Sequence, residues 1–163
     1  MARIVGAVGR ARPTVHAKRA VAAAMYQKGK SLVGAGLLLR RQGGDEYVVL
    51  HLLCQGIELV LKAVLLLKDY DRYKSKLKKP LGHNLMASCD AVADAYGKPR
   101  LRGPTRQQLK TLSKLYEEHL LRYGTHHDIS IDASTIPTGR IMRRISTMLR
   151  GVEKQGLFHG MAI

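Results

Sequence analysis

Four polar side chains interrupt the most apolar segment of the chain. His51, Gln55, Glu58 and Lys62 are spaced 4, 3 and 4 residues apart, which puts them on one face of a helix. Two arrangements fit that spacing. One is a narrow solvent-facing stripe with Glu58 and Lys62 as an i,i+4 ion pair. The other is a polar groove or self-association seam in which every member is hydrogen-bonded, because a buried helix carries such groups only when they are paired. A second concentration of titratable groups lies at His119, Arg122, His126, His127 and Asp128. If one helix ran through it, His119, Arg122 and His126 would share a face. No metal-ligand spacing of the H-E-x-x-H kind occurs, so the sequence assigns no metal and no cofactor. Glycine-rich phosphate loops after a strand and G-x-S-x-G elbows are also missing, and neither Cys54 nor Cys89 sits in a nucleophile setting.

The elements that must position these groups read as helices throughout, with no sustained alternation that would argue a sheet. The first helix is expected over 14–41, where Gly29, Gly34 and Gly36 weaken it or admit close packing. Gly43-Gly44 ends it. Asp45 then caps a second helix over 46–68, apolar on nearly every face and hence central. Gly56 is a candidate for a close helix contact. The basic run 68–80 reads as a loop with at most a helical turn. Asn84 caps a third helix over 85–96, stopped by Gly97. A fourth is expected over 105–122 with its end at Gly124, and a fifth over 139–153 after an irregular stretch. The expectation is a single-domain all-α bundle of four or five helices over 14–155, flanked by a basic segment 1–13 and a tail 156–163.

Charge narrows the function classes. The 163 residues carry 28 Lys+Arg against 12 Asp+Glu, a formal +16. The excess is not a tail: residues 1–44 contribute nine cations and no acids, and three further basic stretches alternate with mildly acidic ones. A basic face assembled from several elements points to a polyanionic partner, RNA or DNA first. Lys74, Lys76, Lys78, Lys79, Arg143 and Arg144 are the candidate nucleic-acid contacts. The two cysteines read as buried thiols rather than a disulfide, which suits a reducing cytoplasm. The polar stripe argues against a membrane span for 47–67, and no signal peptide is expected.

Two strings carry a resemblance. Leu53-Cys54-Gln55-Gly56-Ile57-Glu58-Leu59-Val60-Leu61-Lys62-Ala63 resembles the second helix of HEPN domains, with its Q-x-x-E-L-x-L-K-A pattern. After a basic loop, Gly82-His83-Asn84-Leu85 is similar to that family's G-H-[DN]-L helix start. The resemblance covers roughly residues 20–125. HEPN domains are small helical bundles of prokaryotic toxins and defence proteins, and their ribonucleases carry an R-x(4–6)-H motif late in the bundle. Arg122-Tyr123-Gly124-Thr125-His126-His127 fits R-x4-H. The resemblance therefore implies Arg122 and His127 as catalytic, with His126 as the competing histidine. It further implies metal-independent RNA cleavage, a homodimer in which two motifs meet, and neutralisation by a nucleotidyltransferase-like antitoxin. His83 reads as stabilising a helix start. The alternative is a non-catalytic module that binds RNA, DNA or a partner protein, or an accessory subunit of a larger effector complex.

Overall fold

Four helix starts follow short polar side chains that satisfy otherwise orphaned backbone donors. Thr14 Oγ1 accepts from Ala17 N at 3.2 Å and opens α1, Val15–Arg41. Asp45 accepts from Val48 N at 3.0 Å and opens α2, Glu46–Lys68. Asp69 caps a one-turn α3, Tyr70–Lys74, which runs into a 3-10 turn, Ser75–Leu77. Asn84 Oδ1 accepts from Ala87 N at 2.6 Å and opens α4, Leu85–Ala95. Then come α5, Gly103–Glu117, the short α6, Leu120–Tyr123, a 3-10 turn at Ala133–Thr135, and α7, Thr138–Glu153. The structure is a computed structural model that describes residues 13–123, 132–136 and 138–153; the side chains of Arg122, Tyr123, Ala133 and Val152 fall outside that description.

The result is an all-α bundle built around α2. Leu50, Leu53, Leu61, Val64 and Leu65 of α2 are buried together with Leu85 and Val92 of α4, Leu109 and Leu112 of α5, and Ile141 and Ile145 of α7. Alone among the described helices, α2 is long and apolar enough to cross a membrane; here 72% of its most apolar window is buried by the rest of the chain. Arg40 forms an ion pair with Glu46 and donates to Thr138 Oγ1 at 2.8 Å, which ties α7 to the α1–α2 hairpin. Both cysteines are free and buried. Burial pushes the Cys89 thiol up to about 12, with Asp90 adding to the shift, and raises Cys54 as well, so neither is a thiolate near neutrality.

α1 and α2 approach closely where two glycines face each other. A Cβ on Gly56 would stand 2.7 Å from the Gly29 carbonyl oxygen and 2.7 Å from Val33 Cγ2, and one on Gly29 would stand 2.8 Å from the Gly56 oxygen. Both neighbours include backbone, which cannot step aside without moving a helix. Gly56→Ala is accordingly expected to destabilise the protein by about 1–3 kcal/mol in chemical denaturation. Gly34, whose Cβ would meet nothing within 4 Å, is the internal control. Gly34→Ala is expected to stabilise by about 0.5–1 kcal/mol through helix propensity. Equal effects at the two positions would contradict this account of the crossing.

The expected fourth helix is corrected. It does not run to 122. α5 ends at Glu117, Glu118 forms its C-cap, and His119 adopts a left-handed backbone at φ 58° before α6 begins. The break thus falls at a histidine five residues before Gly124. It also removes the continuous face on which His119, Arg122 and His126 would have aligned.

Candidate active site

The polar stripe is turned inward at its C-terminal half. Glu58 and Lys62 are each only 7% exposed, so they are not a solvent-facing pair. Chain neighbours account for their burial. Lys62 Nζ donates to Glu58 Oε1 at 2.6 Å and to the Gly82 carbonyl oxygen at 2.5 Å. The other carboxylate oxygen, Glu58 Oε2, accepts from Tyr116 Oη at 2.7 Å and lies 3.0 Å from His83 Nδ1. The Glu58–Lys62 pair on α2 therefore gathers the loop before α4, Lys62 through Gly82 and Glu58 through His83, and the last turn of α5, Glu58 through Tyr116. His51 and Gln55 are half-buried further along α2, and the His51 ring packs 5.8 Å from that of Tyr116.

Burial alone would raise the Glu58 carboxyl. Hydrogen bonds from Lys62, His83 and Tyr116, with the Lys62 charge, outweigh it and hold the group below the ordinary carboxylate range. The unfolded chain therefore binds this proton more tightly than the folded one. Stability from Glu58 is fully present above its unfolded value and drains away as pH falls through the folded one. In thermal melts across the acid range, wild type is expected to lose Tm below about pH 4 more steeply than Glu58→Gln, which has no such proton to take up. Parallel acid limbs would contradict the assignment.

The solvent side of the cluster is imidazole. The His83 side chain is half exposed, and its ring stands edge-on to Tyr116 at 5.5 Å and to His119 at 5.6 Å. The turn at His119 is what brings its ring there. With Nδ1 engaged by Glu58, His83 has Nε2 left for a substrate, and Glu58 fixes the ring's orientation. Two imidazoles side by side, one oriented by a buried carboxylate, are groups of the kind that general acid–base chemistry uses. Among the described residues no three or more His, Cys, Asp or Glu gather as a metal site.

The backbone of Arg122 lies in α6, which packs against α2 immediately after His119. Its side chain, and all of His126 and His127, lie outside the described residues. The basic candidates are exposed. Lys74 Nζ stands over the Tyr70 ring at 5.6 Å and Lys76 Nζ over Tyr73 at 5.8 Å, while Lys78 and Lys79 are exposed on the loop that follows. Arg143 and Arg144 are exposed on α7, and Arg144 lines a cavity with Lys98, Arg100 and Arg102, a lining that includes none of Lys74, Lys76, Lys78 and Lys79.

The sequence holds no sign that His83, Tyr116 and His119 come together beside Glu58. Helix capping here falls to Asn84, which leaves the His83 ring to Glu58. In comparisons with family models, curated proteins and solved structures, nothing matches this chain.

Proposed function

We propose that the protein is a HEPN-like, metal-independent endoribonuclease of a toxin–antitoxin or phage-defence system, acting in the cytoplasm as a homodimer and held in check by a nucleotidyltransferase-like antitoxin. The observation that carries the reading is the Glu58–His83–His119 cluster, set at the entry to the helix that bears Arg122. The polar helix and the G-H-N-L start that resemble HEPN domains are the two pieces that meet in it.

RNA cleavage without metal needs three things. A base takes the proton from a 2′-OH, whose oxygen attacks the adjacent phosphorus. A cation holds the phosphate as negative charge builds. An acid supplies a proton to the departing 5′-oxygen, leaving a 2′,3′-cyclic phosphate and a 5′-OH. Arg122 suits the cation role, since a guanidinium is planar, bidentate and permanently charged. His127 takes one proton-transfer role, with His126 as its competitor, and His83 on its Glu58 support takes the other. Glu58 is a positioning residue, too buried to touch RNA. The test is RNA cleavage in EDTA by wild type, Arg122→Ala and His127→Ala. Salt-sensitive binding without cleavage would favour the non-catalytic binding module instead.

A further inference from the structure

α5 ends in a turn that favours glycine and is built on histidine. Glu118 is the C-cap, and His119 follows at φ 58°, its N–H donating to the Tyr116 carbonyl oxygen at 3.2 Å. A left-handed residue just past a helix end is most often glycine, because a Cβ in that conformation crowds the neighbouring carbonyl. Among the described residues His119 is the one non-glycine with a positive φ; Gly43, Gly82, Gly97 and Gly103 are the others with that sign. Glycine would make the same turn at less cost. What histidine adds is a ring, and that ring stands against His83.

His83 needs such a neighbour. Its Nδ1 lies 3.0 Å from Glu58 Oε2, and Lys62 holds the carbonyl of the preceding Gly82 at 2.5 Å. One hydrogen bond pins one point of a half-exposed ring and leaves the ring free to swing about that bond. Two rings limit the swing. Tyr116 meets His83 at 5.5 Å and 84°, and His119 meets it at 5.6 Å and 71°, both in the edge-to-face range. Tyr116 is buried and His119 exposed, so His119 supplies the wall toward solvent. A groove of about 820 Å³ borders the pair, lined by Asn84, the residue after His83, and by Glu118 and Leu120 on either side of His119. That space is large enough for a nucleotide unit.

We infer that His119 is a positioning residue. Its ring, carried on a strained left-handed turn, confines His83 to the orientation that Glu58 sets and so keeps Nε2 in place for the substrate. The turn gives up stability for that placement, as strained residues at functional sites do. What the confined ring does rests on the RNA-cleavage reading above; the confinement itself is a property of the protein without RNA.

The test compares full-length wild type, His119→Gly and His119→Phe. Carbon-13 relaxation at the His83 ring, assigned against His83→Ala, reads the confinement with no RNA present. The ring is expected to be rigid in wild type and in His119→Phe, and to move on the picosecond-to-nanosecond scale in His119→Gly. His119→Gly is also expected to melt about 2 °C or more above wild type, because the turn is relieved. Its kcat for RNA cleavage should nevertheless fall about 10-fold or more, with KM within about 2-fold of wild type. His119→Phe keeps a ring without a ring nitrogen and should recover most of that loss. A rigid His83 ring in His119→Gly, or a melting point below wild type, overturns the inference. A loss in His119→Phe equal to that in His119→Gly, with the helical spectrum unchanged, overturns it too, since the nitrogen and not the packing would then matter. If wild type cuts no RNA while the ring measurements come out as expected, the cleavage reading fails and the confinement of His83 stands.

Discussion

Replacing Glu58 by alanine is expected to cost the fold about 3–5 kcal/mol, the largest loss for any single substitution in the polar cluster. The carboxylate receives donors from Lys62, Tyr116 and His83, which come from three parts of the chain. Its removal leaves the Lys62 ammonium, 8% exposed, with the Gly82 carbonyl as its acceptor, and takes away the carboxylate to which the Tyr116 hydroxyl donates. Breaking a buried pair on one side is worse than removing both sides, because the survivor keeps its desolvation cost. The companion prediction is therefore non-additive. Glu58→Leu combined with Lys62→Met is expected to recover a good part of the loss. Urea unfolding with unchanged slope measures both. A loss below about 1 kcal/mol for Glu58→Ala would mean that water already reaches the pair, contradicting its burial.

Replacing His83 by alanine is expected to lower RNA cleavage by about two to four orders of magnitude, the usual contribution of one positioned acid or base. Stability should change far less than with Glu58→Ala, because the ring is half exposed and contributes one of three contacts to the carboxylate. Glu58→Gln separates positioning from proton transfer. Its amide can still meet Lys62 and Tyr116 but no longer offers His83 a carboxylate to hold the ring, so cleavage should fall while stability stays close to wild type. A merely structural Glu58 would lower rate and stability together. Undiminished cleavage by His83→Ala would remove this histidine from the chemistry.

Much of the bundle was legible in the residues, for reasons that are local. Asp45 and Asn84 announce helix starts because their side chains reach their own backbone three residues on, and both caps are in place. The interval 46–68 is bounded by glycines before it and Asp69 after it, and α2 occupies it. Gly56 stood out as a side chain missing from an apolar helix, and it lies where α1 crosses.

The site was legible only in part, because its contacts are not local. Spacing put Glu58 and Lys62 on one face but left open whether that face met water. The answer depends on Gly82, His83 and Tyr116, up to 58 residues away. Tyr116 recurs at helical spacing with Leu109 and Leu112, so it reads as core; its ring is core, and its buried hydroxyl donates to the Glu58 carboxylate. The break at His119 has no glycine or proline to mark it, and a left-handed histidine leaves no trace in a periodicity count. That one backbone turn places an imidazole beside His83 and starts a new helix at Leu120, three residues before the motif's tyrosine.

The most direct measurement is a time course of RNA cleavage in excess EDTA, with end-group analysis of the products, for purified wild type, Arg122→Ala and His127→Ala. Wild type is expected to yield 2′,3′-cyclic phosphate and 5′-hydroxyl ends. Each variant should lose about 100-fold or more of the rate with an unchanged helical spectrum. Cleavage that survives both substitutions, or that proceeds only with a divalent metal, would contradict it.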